Sequence, residues 1–242
     1  MVKIITLKRF YIQLIFSSIS HKGLIKKINQ DKIKYLNNQE STVFIVCDGL
    51  SGLDSGEIAS EICSETIISF FSDKTADPKK TIEKSLLYAN KRILDNKINK
   101  MGSTVALVYI QKYMVYAAWC GDSRIYHIRD NEIKWMSKDH IVLHDLLNKG
   151  YIKGDLIYRP NALTRYIGNT NNHNPEIINF SIKKGDIILI SSDGLHNFIR
   201  ENEIIDLAGK FLPAEASEIM KNKLLEEDIN APDNFSWFIV RI

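Results

Sequence analysis

Thr42-Val43-Phe44-Ile45-Val46-Cys47-Asp48-Gly49 is the stretch on which the fold turns. Its first six residues carry no charge and are mostly β-branched or aromatic, which reads as a buried strand; Asp-Gly is the turn that stops it. The construction recurs. Ile187–Ser192 runs into Asp193-Gly194, Met114–Cys120 runs into Gly121-Asp122, and Asp233-Asn234 opens a last strand over Phe235–Ile242. Taken singly, each Asp-Gly is only a turn. Taken together they place carboxylates at the ends of rigid strands, and a sheet that gathers those ends crowds like charges unless protons or cations intervene. Oxygen-only donors of this kind suit hard divalent ions such as magnesium or manganese.

Outward from these ends, further strands are expected at Phe10–Phe16, Thr104–Ile110, Arg124–Ile128, Glu132–Met136 and Ile177–Ile182. Hairpin tips at Gln111-Lys112 and Asp130-Asn131 favour antiparallel meanders over crossover units and disfavour a doubly wound nucleotide fold. Two long helices break the series. In the first, Ala59, Ile62, Cys63, Thr66, Ile67 and Phe70 share a face, with Asp54 and Glu57 as a capping pair. The second starts at Asp77-Pro78 and carries Ile82, Leu86, Ala89 and Ile93 on one stripe. Shorter helices are predicted at Ile141–Asn148, after Asp193-Gly194, at Glu203–Ala208 and at Ala214–Leu225, giving an α+β class; Asn161–Asn174 reads as a mobile loop.

The chain has 242 residues, 45% hydrophobic and 25% charged, with no Pro/Gly/Ser linker, so residues 1–242 are expected to form a single domain. No apolar run approaches the roughly 18 residues of a membrane span, and Lys3, Lys8 and Arg9 interrupt the start, which predicts a soluble, cytoplasmic protein without a cleaved signal or a membrane partner. Lys and Arg total 32 against 29 acids, without the basic block or aromatic groove that nucleic acid requires. Cys47, Cys63 and Cys120 are odd in number, lack CxxC spacing and sit in apolar stretches; they read as core residues of a reducing compartment, against structural zinc.

Asp48-Gly49-Leu50-Ser51-Gly52 followed by Gly56-Glu57-Ile58-Ala59-Ser60 resembles the DGMGG…GExAS segment of the PPM (type 2C) metal-dependent protein phosphatases. The resemblance continues in order. Gly23 to Asp31 is similar to the family's GxVRxxNxD opening, Gly102-Ser103-Thr104 to its GTT or GST, Gly121-Asp122-Ser123-Arg124 to GDSR, and Lys138-Asp139-His140 to (T/S)xDH. Asn161 to Gly168 is similar to NxLTRxxG, Ser191 to Leu195 to SSDGL, and Asp233 to Ser236 to DNxT. Motifs span residues 21–242 in family order. The resemblance implies a four-layer αββα sandwich of two antiparallel sheets flanked by helices, in the compact form of stand-alone bacterial members, monomeric, acting on phosphoserine and phosphothreonine of proteins phosphorylated by a bacterial serine/threonine kinase.

It also implies roles. Asp48 corresponds to the carboxylate bridging two metals, Gly49 to the residue lending a carbonyl, Asp193 and Asp233 to the remaining direct ligands, and Asp31 to an acidic position supporting the metals. Asp122, with Asp193, corresponds to the pair that holds a third and weaker ion. Two Mn2+ or Mg2+ ions would lower the pKa of a shared water, so that Asp48, Asp193 and Asp233 act in catalysis through metal-activated hydroxide attacking phosphorus in line.

Departures are specific. Lys26 stands where the family has a phosphate-gripping arginine, keeping the charge but losing the bidentate fork. Gln30 replaces a frequent Glu, Ser51 a glycine of the metal loop, and Leu50 a histidine proposed as general acid in some relatives. These departures leave open a non-catalytic interaction module; the same cation logic leaves open a phosphodiesterase, which the charge balance opposes. His140 and His144, one turn apart, read as helix-surface or capping residues, and Arg124 and Arg165 as braces of the carboxylate cluster or a loop, with phosphate binding as the alternative. Asn148–Tyr158 falls where relatives have a variable flap beside the site.

Overall fold

The computed structural model describes residues 2–7, 12–38, 40–50, 55–72, 75–96, 101–148 and 160–242. A six-stranded antiparallel sheet runs β1 (Val2–Leu7), β2 (Ile12–His21), β11 (Phe235–Arg241), β10 (Ile187–Ser191), β7 (Arg124–Arg129) and β8 (Glu132–Met136). A five-stranded antiparallel sheet runs β3 (Asp31–Asn38), β4 (Ser41–Asp48), β5 (Val105–Gln111), β6 (Met114–Cys120) and β9 (Glu176–Ser181). Helices α1 (Gly56–Ser69) and α2 (Pro78–Leu94) cover the outer face of the second sheet, and α5 (Glu201–Lys210) and α6 (Pro213–Leu225) that of the first; α3 (Val142–Asn148) and α4 (Asp193–His196) are short.

The four layers follow from strand periodicity. Phe44 and Val46 of β4 point between the sheets, where Phe16, Ala106, Val108, Trp119, Ile188, Ile190 and Phe238 meet them. The alternate residues Val43, Ile45 and Cys47 point to Ala59, Cys63, Ile67, Ile82, Leu86 and Ala89 of the two helices. On the other sheet, Leu189, Trp237 and Ile239 face Ile204, Ala216, Met220 and Leu224. A strand covered on both faces has no polar side, which is why β4 and β10 read as unbroken apolar runs. The stripe expected on α2 is buried, as are Ala59, Cys63, Thr66 and Ile67 of that on α1, while Ile62 and Phe70 are half-buried against the same cluster; the Asp77 side chain caps α2 by accepting from Lys80 N–H at 3.1 Å.

Several expectations need correction. β1 and β3 were not anticipated. Phe10 and Tyr11 lie outside the described residues, and β2 extends on to His21. The β5–β6 tip is Lys112-Tyr113, one residue later than expected, whereas Asp130-Asn131 is the tip foreseen, both residues left-handed as a type I′ turn demands. α5 is longer than Glu203–Ala208 at both ends. Ser51, Asp54 and the stretch 149–158 lie outside the described residues, and α1 starts after Ser55 without a side-chain cap. Asn161–Asn174 is pinned: Ile167, fully buried, exchanges backbone hydrogen bonds with Ser103 at 2.8 and 2.9 Å, and Gly168 N–H reaches Asn90 Oδ1 at 2.7 Å. Among the described residues no helix is long and apolar enough to cross a membrane.

Candidate functional site

Asp48 closes β4 and Asp31 opens β3, and the antiparallel register sets the two directly opposite. Like charges so placed repel. What holds them is a set of hydroxyls reaching across the sandwich. Ser192 Oγ donates to Asp31 Oδ2 at 2.8 Å and accepts from Ser236 N–H at 2.9 Å, joining the ends of β3, β10 and β11. Asp31 Oδ1 is buried with no hydrogen-bond partner among the described residues. Thr104 holds Asp48 by its backbone and not by its carboxyl. Its Oγ1 accepts from Asp48 N–H at 3.0 Å and shares a hydrogen bond with Ser123 Oγ at 2.7 Å, while its N–H donates to Asp48 O at 2.8 Å. The end of β4 is thereby fastened to the turn that carries Asp122.

Asp193 and Asp233 arrive from the other sheet. Asp193 begins α4, where helix N–H groups favour an anion, and Oδ2 accepts from Asn197 Nδ2 at 3.0 Å. A methyl group on Gly194 would stand 1.9 Å from Asn234 O, so glycine permits this helix to lie against the Asp233-Asn234 segment. Asp233 Oδ1 accepts from Asn234 N–H at 2.8 Å and pairs with Lys26 Nζ at 2.9 Å. Gly49 fits the same logic: its N–H donates to Gln30 O at 3.1 Å, and a Cβ there would meet Gly56 O at 2.1 Å.

The electrostatics record the crowding. Burial first, and then Asp31, Asp193, Asp122 and Asp233, push the Asp48 carboxyl well above its ordinary range. Burial, with Asp193 and Asp233 adding repulsion against the Ser192 hydrogen bond, raises Asp31 to about 7. Burial followed by Asp193 and Asp139 raises Asp122 to about 8. Burial and Asp233 raise Asp193 to about 6, held back by a hydrogen bond with Asp48 and by the Lys26 charge. Five acids from five separate segments therefore share one field. Among the described residues no three His, Cys, Asp or Glu side chains already surround a single cation position. Asp193 is hydrogen-bonded to Asp48 and Asn197, Asp233 is paired with Lys26 and Asp31 is bonded to Ser192, contacts that offset part of the repulsion.

All the residues singled out from the sequence as ligands, Asp31, Asp48, Gly49, Asp122, Asp193 and Asp233, lie at this end of the sheets, with Lys26 among them. The expected braces are present. Arg124 grips Asp139 with two parallel hydrogen bonds at 2.8 and 2.7 Å, and Arg165 NH1 reaches Glu176 Oε1 at 3.3 Å. His140 is not a surface residue. It is 3% exposed, its Nδ1 accepts from Gly121 N–H at 3.2 Å and its own N–H donates to Gly121 O at 3.0 Å, clamping the residue before Asp122; its Nε2 meets Glu176 Oε1 at 3.1 Å. His144 Nδ1 lies 2.9 Å from Asp139 O, so the two histidines are not a ligand pair. Gln30 Nε2 donates to Glu57 Oε2 at 3.4 Å. Sequence reasoning missed Thr104, Ser192 and Asn234 as fasteners: no periodicity marks a hydroxyl or amide whose partner lies 56, 161 or 204 residues away.

The chain matches the family described as protein phosphatase 2C over residues 25–227. It is 30% identical over 214 residues to a putative protein phosphatase of Mycoplasma genitalium, covering 79% of this chain and 82% of that one. It is 27% identical over 234 residues to the serine/threonine phosphatase stp of Listeria monocytogenes, covering 90% and 92%. Its fold superposes on the catalytic domain of the serine/threonine protein phosphatase PstP, crystallised with two manganese ions, with a TM-score of 0.78 at 21% identity over 94% of this chain and 97% of that one. Aspartates at converging strand ends, the αββα layers and these likenesses agree: the chain belongs to the protein phosphatase 2C family of metal-dependent serine/threonine protein phosphatases.

Proposed function

We propose that Asp48, Asp193 and Asp233, with the Gly49 carbonyl and with Asp31 in support, hold two divalent cations, Mn2+ or Mg2+, and that Asp122 and Asp193 hold a third, weaker one. The observation that carries this reading is Asp31: a carboxyl 2% exposed, one oxygen bonded to Ser192 and the other buried without a hydrogen-bond partner among the described residues, inside a field of four further aspartates. The donor set fits the ions, since every candidate side-chain ligand offers hard carboxylate oxygen and positive charge would relieve the repulsion that raises these carboxyls. Bound there, divalent cations would supply Lewis acidity toward phosphoryl oxygens and lower the pKa of water, the chemistry that phosphate-ester hydrolysis near neutral pH needs in the absence of a protein nucleophile.

The chain's own residues position the substrate and shape the field. Lys26 Nζ, 2.9 Å from Asp233, brings a cation to the rim of the cluster, where it offsets charge on phosphoryl oxygens as a point charge and not as a fork. Arg124 is committed to Asp139 and His140 to Gly121, so both hold the Asp122 turn and neither moves a proton to the leaving group. Thr104, Ser192 and Asn234 keep the acid-bearing segments from separating under their own charge. The substrates are phosphoserine- and phosphothreonine-bearing cytoplasmic proteins, targets of a serine/threonine kinase, and residues 1–242 act as one catalytic unit.

Manganese binding by calorimetry and hydrolysis of a phosphothreonine peptide, with and without chelator, test this. Asp48→Asn and Asp193→Asn should each weaken manganese binding and lower turnover by more than about a hundredfold, the upper end of what losing a merely supporting partner costs. Full chelator-sensitive turnover by Asp48→Asn would overturn the assignment.

A further inference from the structure

The segment between Gly23 and Gln30 carries three large apolar side chains that do not enter the core: Leu24 is 48% exposed, Ile25 60% and Ile28 57%. Lys27 on the same segment and Lys22 just before it are also exposed. Such a cluster on a floppy loop would mean little. This loop is held from beneath. The Asn234 amide, 3% exposed, donates from Nδ2 to Lys22 O at 2.8 Å and Ile28 O at 3.0 Å, and its Oδ1 accepts from Gln30 N–H at 2.8 Å. Leu24 N–H donates to Ala231 O at 2.9 Å, and a Cβ on Gly23 would stand 2.3 Å from Asp233 O. One buried side chain staples both ends of the loop and its exit.

The loop also contains Lys26, whose ammonium is paired with Asp233 at the rim of the carboxylate cluster. Ile25 adjoins this lysine in the chain, and Leu24 and Ile28 each lie two residues from it. We propose that Leu24, Ile25 and Ile28, with Lys22 and Lys27, form the docking surface for the polypeptide flanking the phosphorylated residue, and that the favoured substrates carry apolar and acidic residues there. This rests on the phosphatase reading of the adjoining cluster. Apolar area exposed on a fastened loop binds without the cost of ordering that loop, and continuity with Lys26 means that a phosphorylated residue seated in the cluster brings its neighbours over these side chains. The two lysines set the charge preference: acidic flanks are attracted, basic ones repelled.

The experiment compares two phosphothreonine peptides, one flanked by Leu and Asp and one by Ser and Arg, with p-nitrophenyl phosphate as a substrate too small to reach the loop. All are assayed with manganese on the wild type and on Ile25→Ser, Ile28→Ser and Lys27→Ser. The wild type should favour the apolar-acidic peptide by about tenfold in kcat/KM, expressed in KM, and each isoleucine variant should lose most of that preference while p-nitrophenyl phosphate hydrolysis stays within about twofold. Equal use of both peptides, or a preference that survives both isoleucine variants, would overturn the proposal. So would wild-type sedimentation with anionic phosphatidylserine vesicles, or self-association, abolished by Ile25→Ser without any change in peptide preference. If the wild type hydrolyses neither peptide nor p-nitrophenyl phosphate, the failure lies with the phosphatase reading and not with the docking surface.

Discussion

Asn234→Ala should loosen the fold and the site together, and the size of the effect can be worked from three hydrogen bonds. The amide of Asn234 is 3% exposed and bonds Lys22 O, Ile28 O and Gln30 N–H at 2.8, 3.0 and 2.8 Å. Lys22 and Ile28 are exposed, so their carbonyls regain water when the amide is removed, and the net loss is about 1 kcal/mol for the two. Gln30 N–H is half-buried beneath the loop and stays poorly hydrated, which adds about 2 kcal/mol. The sum, about 3 kcal/mol, corresponds to a fall of roughly 6–12 °C in Tm for a chain of this size. Asn234→Asp sharpens the test. It preserves the shape and the acceptor for Gln30, but it replaces a donor by an oxygen facing two carbonyls and adds a further acid beside Asp233. Its Tm in chelator at pH 8 should fall below that of the alanine variant. Both should raise KM for a phosphate ester more than they lower kcat, because the freed loop no longer holds Lys26. Thermal unfolding followed by circular dichroism, with steady-state kinetics on the same preparations, reads all of this. An alanine variant within 1 °C of wild type, or an aspartate variant more stable than the alanine one, would refute the reasoning.

Acidic groups held above their ordinary range bind protons more tightly folded than unfolded, so in chelator Tm should decline as pH rises from about 4 to 8, through the positions of Asp193 near 6, Asp31 near 7 and Asp122 near 8. Saturating manganese should remove most of that decline; a flat or rising profile in chelator contradicts the shared field. Gly194→Ala places a methyl 1.9 Å from Asn234 O and should cost about 1–3 kcal/mol in urea unfolding, with weaker manganese binding by calorimetry. Arg124→Lys keeps the charge but only one of two bonds to Asp139, and should cost about 1–2 kcal/mol in the same unfolding assay while leaving KM for p-nitrophenyl phosphate nearly unchanged. A large rise in that KM would mean Arg124 touches phosphate after all.

What the sequence made legible divides along one physical line. Strands buried on both faces announce themselves, because each residue is apolar whichever way it points, and β4, β6 and β10 fall within a residue of their expected bounds. β3 does not. Ile33 and Tyr35 face the inter-sheet core, but the alternate residues Lys32 and Lys34 face α1, where they pair with Glu61 at 3.2 and 3.0 Å. A strand whose outer face is roofed by ion pairs looks like a polar loop until the helix that supplies the acids is in place. Among the described residues β1 is an edge strand paired with β2 alone, and a short strand carrying Lys3 sends little signal.

The site divides the same way. Asp48, Asp122, Asp193 and Asp233 were legible because each adjoins an end of an apolar run, a local pattern, whereas Asp31, which opens the polar strand β3, was marked only by the family resemblance. The groups that make their assembly tolerable were not legible, since Thr104, Ser192, Asn234 and His140 act on backbone or carboxyl groups of other elements, and a hydroxyl at a strand end carries no mark of its partner. His140 shows the cost of reading spacing alone. One turn from His144 it suggests a pair, yet its ring is spent on Gly121 and Glu176. Repulsion among the carboxyls works against the convergence of the two sheets at this end, and the buried fasteners oppose it. A chain that kept the aspartates but lost Ser192 and Thr104 would still carry the family's acidic motifs while its sheets parted at the site.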